Sequence, residues 1–129
     1  ERSNNLKKES LFLVSVAIGV FSVSLGYGFL PNLTMPFLYD IEVTNINLSN
    51  ILRAITGLYI ALVTFWVAGA YNSNLQLPAL WSLTIFMTGL ALGRVASILI
   101  DGLPSPIFIF YLFIEIIFGL MGYALIKKS

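Results

Sequence analysis

Four long apolar runs, separated by short polar breaks, dominate this sequence of 129 residues. A helix needs roughly 20 apolar residues to cross about 30 Å of hydrocarbon, and each run is long enough. The breaks are rich in proline, glycine, asparagine and aspartate, the residues that end helices and form turns. The pattern therefore predicts four membrane-spanning helices, at residues 10–30, 51–71, 79–100 and 107–126.

The polar ends and the longest break indicate how these spans are oriented. Five of the seven basic residues flank the first and the last span: Arg2, Lys7, Lys8, Lys127 and Lys128. Because Lys and Arg concentrate on the cytoplasmic side of membranes, we expect both termini there. Residues 31–50 then form an outer loop, with Tyr27 and Tyr39 in an aromatic belt at the outer interface. The alternation over residues 39–44 suits a short strand or an extended segment on the membrane surface.

Composition supports a membrane protein and disfavours several classes of function. Hydrophobic residues make up 58% of the chain and charged residues 10%, whereas a soluble domain carries about 25% charged residues. The net charge of +1 and the lack of a basic face argue against nucleic acid as a partner. The chain has no Cys and no His, so disulfides, the common metal ligands and the usual general base are missing. We predict an all-α, single-domain, four-helix membrane bundle without a metal.

Small residues predict which helix faces pack, because they let helix backbones approach closely in lipid. The first span carries a stripe of them at spacings of four, three and four: Ser15, Gly19, Ser22 and Gly26. The later spans add five glycines: Gly57, Gly89, Gly93, Gly119 and Gly122. We favour packing within one bundle over a dimer interface as the role of these residues, and both interpretations stay open.

Two ionisable residues lie inside the apolar runs, Arg94 in the third span and Glu115 in the fourth. From the helical rise they lie roughly 9 Å and 12 Å below the same membrane surface. The turn over residues 101–106 makes the two spans antiparallel neighbours, so we expect the two side chains to meet. An isolated charge in the membrane costs on the order of 3 kcal/mol, so such residues usually pair or face a cavity.

Other polar residues are expected in the same outer layer. Arg53 begins the second span, and Ser97 and Asp101 follow Arg94 on one helical face. In a structural interpretation, Arg94–Glu115 and Arg53–Asp101 are ion pairs that fix the helix register. In a functional interpretation, the arginines hold the anionic or polar head of a ligand, because a guanidinium can bind two oxygens at once.

The motifs around these residues resemble a known group. The quoted residues are Arg53 with Gly57-Leu58-Tyr59, Gly93-Arg94 with Ser97, Asp101-Gly102 and Glu115. They resemble an uncharacterised bacterial domain-of-unknown-function family of small four-helix membrane proteins, which is similar to the broader DoxX-like group. The resemblance covers about residues 53–122 and implies a four-helix fold in a bacterial inner membrane. It implies no reaction, but some DoxX-like relatives are subunits of quinone-linked membrane complexes.

Three functions follow as hypotheses. The first is a non-catalytic accessory subunit of a larger membrane complex, which fits the small size and the short loops. The second is a binding protein for an amphipathic molecule, a quinone or a lipid, held by the outer Arg, Glu and Asp cluster. The third, a transporter or enzyme, is disfavoured because no repeat, broken span, nucleophile or metal site is recognisable. The expected partners are membrane lipid and other membrane subunits or a second copy, with bound lipid or quinone in place of a cofactor.

Overall fold

The computed structural model describes the backbone of residues 2–128 and the side chains of residues 8–128. In this range it contains five helices and no strand: α1 (Arg2–Gly28), α2 (Pro31–Tyr39), α3 (Ile46–Tyr71), α4 (Ser73–Asp101) and α5 (Pro106–Lys128). All except α2 are long and apolar enough to cross a membrane, which confirms the all-α, four-span prediction. The side chains of Arg2 and Lys7, used above to predict orientation, lie outside the described residues.

The four long helices run alternately up and down, with α1 packed on α3, α3 on α4, and α4 on α5. The start of α1 meets the end of α3, where the Ser10 hydroxyl donates to the Ala70 carbonyl at 2.7 Å. We call this end of the bundle the terminal end and the opposite one, which carries α2, the loop end. Helices α1 and α5 are barely in contact, apart from an edge-to-face pair between Phe12 and Phe118. The bundle is therefore left with an open seam between α1 and α5.

The terminal half of the bundle holds the main hydrophobic core. The side chains buried most completely there are Leu13, Val16, Trp66, Leu80 and Leu83. The Trp66 indole is also satisfied, because its Nε1–H donates to the Ser82 hydroxyl at 3.0 Å. The outward faces of the helices are apolar too, as a lipid environment requires.

Close helix approach occurs at glycines that the sequence pattern only partly identified. A Cβ at Gly28 would collide with the Leu52 carbonyl and the Thr56 hydroxyl of α3. A Cβ at Gly122 would lie 2.5 Å from the Thr84 hydroxyl oxygen of α4. These two glycines therefore set the spacing of α1 to α3 and of α4 to α5.

Packing within one bundle, the role favoured for the small-residue stripe of the first span, is wrong for most of its members, and the dimer interface stays a prediction. Ser15, Gly19 and Ser22 are exposed, and both serines donate to carbonyls of their own helix. Only Gly26 is buried. The face that packs is instead defined by the large core residues of α1 and ends at Gly28. A helix that is apolar all round gives no pattern from which this rotation can be read.

Three later glycines of the predicted packing set do not pack within the chain either. Gly57, Gly89 and Gly93 are open, and a Cβ at any of them would meet no atom within 4 Å. Gly119 does pack, since a Cβ there would lie 3.6 Å from the Met87 Cβ of α4. The glycines of α5 therefore face the bundle, whereas Gly89 and Gly93 of α4 face away from it.

The predicted outer loop is largely helical, and its strand alternative is not formed. Pro31 starts α2 at a position where its missing N–H costs no helical hydrogen bond. The side chain of Asn45 caps α3 by accepting from the backbone N–H of Asn47 at 2.7 Å, so α3 starts at Ile46 rather than at residue 51.

The predicted break at residues 72–78 is also shorter than expected. The side chain of Asn72 caps α4 by accepting from the backbone N–H of Asn74 at 3.0 Å. Helix α4 therefore begins at Ser73, and Pro78 lies inside its second turn. Only one residue separates α3 from α4, which forces the two helices to be antiparallel neighbours.

Candidate functional site

One ion pair joins α4 to α5 in the loop half of the bundle. The Arg94 Nε–H donates to both carboxylate oxygens of Glu115, at 2.8 Å and 3.0 Å. The Glu115 side chain is 8% exposed and the Arg94 side chain 21% exposed. The contact expected from the two depths is thus formed, with the acid enclosed and the guanidinium still reachable.

Two aromatic rings of α5 contact the guanidinium, and a ring of α2 packs on both of them. Its Cζ lies 5.9 Å from the ring centre of Phe108 and 5.5 Å from that of Tyr111, within cation–π range. Tyr39, the last residue of α2, stacks on Phe108 at 5.0 Å, and its hydroxyl shares a 2.8 Å hydrogen bond with that of Tyr111. Helix α2 therefore covers the ion pair on the loop side.

Tyr39 is fixed in this cover rather than placed at the lipid interface. It is buried and also stacks on Tyr27, at 5.6 Å between ring centres. Burial, and then the hydrogen bond to Tyr111, raise the pKa of Tyr39 above the ordinary phenol value. The aromatic belt predicted for Tyr27 and Tyr39 is therefore wrong for Tyr39, whose ring is buried in the cover over the ion pair, whereas Tyr27 is partly buried beside it.

A cavity of about 260 Å³ lies beneath the ion pair, inside the bundle. Its polar groups are at one end: Tyr27, Tyr59, Arg94, Tyr111 and Glu115. The rest of its wall is apolar and includes Val20, Phe86, Met87, Leu90 and Phe118. Two residues of the cavity wall are exposed, Gly19 of α1 and Phe110 of α5. The cavity therefore opens at the seam between these two helices.

The guanidinium has donors to spare. Arginine carries five N–H donors, and only the Nε–H of Arg94 makes a hydrogen bond to Glu115. The Tyr27 hydroxyl is a further acceptor for the guanidinium. Among the described residues no other acceptor is found for its Nη–H groups. An unsatisfied donor away from water costs about 1–3 kcal/mol. The polar end of the cavity can therefore accept a group with free oxygen lone pairs.

A family model, described as Domain of unknown function (DUF4345), matches residues 9–126. The chain belongs to this family. The match includes nearly all of the four long helices and both members of the ion pair, and it confirms the predicted membership in an uncharacterised domain family. No curated protein and no solved structure matches the chain.

The other predicted site residues of this DUF4345 chain lie apart from the cavity. Arg53 donates from Nη1 to the Phe29 carbonyl at 3.2 Å and, at 3.4 Å, to the Gly28 carbonyl. It therefore caps the end of α1, where carbonyls lack helical partners. Asp101 instead accepts from the Ser97 hydroxyl at 3.0 Å, at the exposed end of α4. The predicted Arg53–Asp101 ion pair is wrong.

Arg94 also borders a second cavity, on the surface of α4 and α5 that faces away from the bundle interior. This cavity measures about 420 Å³, and Gly89, Gly93 and Ser97 form its α4 wall. Phe108 closes it on the α5 side. The predicted glycines and Ser97 thus lie beside the guanidinium, although on the face that points away from the bundle.

Sequence reasoning missed the tyrosines that complete the DUF4345 site. Tyr111 lies one helical turn before Glu115 on the same face, which is a signal that depth and spacing could have given. Tyr59 meets the site from α3, where it packs edge-to-face on Phe86 at 5.2 Å. Nothing local in the sequence indicates that Tyr39 folds back from α2 onto Phe108.

Proposed function

We propose that this DUF4345 protein binds a neutral, amphipathic molecule whose flat head carries carbonyl oxygens, as a quinone does. One observation carries the proposal: the Nη–H donors of Arg94 lie without a full set of acceptors at the polar end of an otherwise apolar cavity. A carbonyl oxygen placed there would accept from the guanidinium. The rest of the molecule would contact apolar side chains.

Charge balance favours a neutral head over an anionic one. Glu115 already neutralises Arg94 at hydrogen-bond distance. A carboxylate or phosphate would add an uncompensated negative charge where the dielectric constant is low, which is costly. A carbonyl accepts the same hydrogen bonds without that cost. The sequence left two kinds of ligand head open, anionic or polar. Because of this charge balance, we propose the polar one.

The aromatic wall favours a flat head over a lipid glycerol group. Tyr27, Tyr59 and Tyr111 border the polar end, and Phe86 continues the wall. Aromatic rings pack against a planar conjugated head in offset-stacked or edge-to-face geometry. The cavity, at about 260 Å³, approaches the lower end of small-molecule sites of roughly 300–1,000 Å³. It therefore suits a single-ring head and the start of a tail.

The proposal also includes the orientation of the protein and the membrane in which it lies. We propose that both termini lie in the cytoplasm, because Lys8, Lys127 and Lys128 cluster at the terminal end. The head site then lies in the outer leaflet. The DoxX-like resemblance of residues 53–122 supports placing the protein in a bacterial inner membrane, beside quinone-linked complexes.

An accessory role in a larger membrane complex is a second candidate, and it is compatible with the first. Gly57, Gly89 and Gly93 are open on the outer surface, where a Cβ would meet nothing within 4 Å. Such positions admit close approach by a helix of another subunit or of a second copy. Co-purification of a discrete partner in mild detergent would support this role, and an isolated monomer would contradict it.

The test of the binding proposal is a titration with a benzoquinone that carries an ethyl side chain. Trp66 contacts Phe86 of the cavity wall, with ring centres 5.4 Å apart, so quenching of its fluorescence reports binding. A Trp81→Phe background removes the other of the two tryptophans. Each variant below is made in that background.

The informative variant combines Arg94→Met with Glu115→Gln, which removes the donors without leaving a buried charge unpaired. We expect affinity for the ethyl probe to fall at least about tenfold, the value of one hydrogen bond to a charged group. Arg53→Met is the matched control, because Arg53 also lies in the loop half but caps α1. Equal binding by the double variant and the background protein would contradict the proposal.

A further inference from the structure

The seam between α1 and α5 carries a groove that the head site does not use. This seam groove measures about 460 Å³ and extends toward the terminal end of the bundle. Its wall is almost entirely apolar and includes Leu11, Phe12, Ser15, Met121 and Leu125. Lys8 borders it at the terminal end. The groove exists because α1 and α5 are barely in contact.

The seam groove continues the cavity beneath Arg94. Phe118 lines both spaces, so its ring is a wall that they share. Along α5, Glu115 and Leu125 are about 15 Å apart by helical rise. Along α1, Gly19 and Leu11 are about 12 Å apart. The two spaces meet at Phe118, which also packs edge-to-face on Phe12 across the seam with ring centres 6.2 Å apart. Together they extend from the ion pair almost to the terminal end.

On the loop side, no comparable path for a tail through the bundle interior is found among the described residues, and the second cavity beside Arg94 lies on the outward face of α4. Helix α2 covers the loop side through Tyr39, which is stacked between Tyr27 and Phe108. On the α2 side, aromatic rings therefore close the interior above the guanidinium. The cavity instead opens between Gly19 and Phe110, on the side of the seam.

We infer that the ligand has a long, flexible hydrocarbon tail, which leaves the cavity past Phe118 and lies in the seam groove. This inference rests on the proposed function, because it takes the head to be held at Arg94. It assigns the seam groove one occupant, an alkyl or isoprenoid chain. The ligand would then enter its site laterally from the membrane, through the seam between α1 and α5.

Two serines of α1 allow a matched test. Ser15 lines the seam groove, whereas Ser22 does not border it or the cavity. Both are exposed, and each hydroxyl donates to the carbonyl four residues earlier in its own helix. Ser15→Phe should fill the groove, and Ser22→Phe places the same ring elsewhere on the same helix.

The measurement compares two probes that share a benzoquinone head, one with an ethyl and one with a decyl tail. In Ser15→Phe we expect the dissociation constant of the decyl probe to rise about tenfold, equivalent to losing about two buried methylene groups. The ethyl probe should bind Ser15→Phe as it binds the background protein, which also shows that the variant is folded. Ser22→Phe should leave both affinities unchanged.

Two results would overturn the inference, and they are distinguishable. If the background protein binds the ethyl probe and Ser15→Phe affects both probes equally or neither, the tail does not lie in the seam groove, although the head site stands. If the ethyl probe does not bind the background protein, the proposed function itself fails and the inference fails with it.

Discussion

The two halves of the bundle are built from the same four helices but differ in how their interior is filled. In the terminal half, Leu13, Trp66 and Leu83 are fully buried, and the Trp66 indole is satisfied by Ser82. In the loop half, a cavity of about 260 Å³ remains, with an arginine whose Nη–H donors lack a full set of acceptors. The first arrangement stabilises the fold without a ligand, although among the described residues the buried Gln76 Oε1 and Thr84 Oγ1 lack a hydrogen-bond partner there. The second is costly unless a ligand contributes to it.

The physical origin of this difference lies in the residues at the helix contacts. In the terminal half, Gly69 and Gly122 let neighbouring helices approach until a Cβ would collide. In the loop half, α1 and α3 also approach closely at Gly28, but away from that contact large rings such as those of Tyr59 and Phe86 border the interior. Bulky side chains hold the backbones apart, and their shapes leave a space between them. The comparison therefore associates a closely packed interior with the terminal half and the head site with the loop half.

Two leucines of α4 test this comparison with the largest expected effect. Leu83 is fully buried in the terminal core, whereas Leu90 lines the cavity and is partly buried. We expect Leu83→Ala to lower the free energy of unfolding by about 2–3 kcal/mol, mostly through lost van der Waals contacts. Leu90→Ala should cost about 1 kcal/mol, because it widens an existing space. Thermal unfolding in one detergent measures both, and equal losses would contradict the comparison.

Two glycines sharpen the same contrast. A methyl group at Gly122 would lie 2.5 Å from the Thr84 hydroxyl oxygen, whereas a methyl group at Gly93 would meet nothing within 4 Å. We expect Gly122→Ala to destabilise the protein by about 1–2 kcal/mol through overpacking. Gly93→Ala should be neutral or slightly stabilising, because alanine favours helix. The same unfolding assay reports both variants, and a larger loss at Gly93 would be inconsistent with the packing described.

The smallest expected effect concerns the cover that α2 forms over the ion pair, and how much this cover stabilises the protein at alkaline pH. Because the pKa of Tyr39 is raised, its contribution to stability is complete below the ordinary phenol value of 10.0 and is lost as pH rises through the higher folded pKa. We expect Tyr39→Phe to remove part of the alkaline loss of stability, by less than about 1 kcal/mol. Tyr71→Phe is the control, since Tyr71 is 83% exposed. A melting-temperature series across this pH range provides the measurement, and identical series for both variants would exclude a role for Tyr39.

The sequence predicted how far along its helix each charged residue lies, but it did not predict which face of each helix packs in the bundle. The contact between Arg94 and Glu115 could be expected from the fixed rise along each helix and from the short turn between α4 and α5. The packing face of α1 could not, because lipid allows apolar side chains all round and removes the amphipathic signal that a soluble helix gives. Three members of the stripe, Ser15, Gly19 and Ser22, were therefore wrongly assigned to the face that packs in the bundle, whereas Gly26 does lie on it.

Contacts between distant segments were also beyond the sequence pattern. Arg53 pairs with carbonyls at the end of α1 because α3 approaches closely at Gly28. Tyr39 covers the ion pair because α2 folds back over the loop end. Both depend on how segments far apart in the chain dock, which neither spacing nor composition encodes. The cavity could be identified only after these contacts were known.

The most direct test of the account is native mass spectrometry of the protein taken gently from its own membrane. The account predicts a discrete bound mass of a neutral, carbonyl-bearing amphiphile on the wild-type chain. That mass should be missing from the variant that combines Arg94→Met with Glu115→Gln, while Arg53→Met retains it. Wild-type and double-variant protein that carry the same mass, or a wild-type chain that carries none, would contradict the claim that Arg94 holds a ligand.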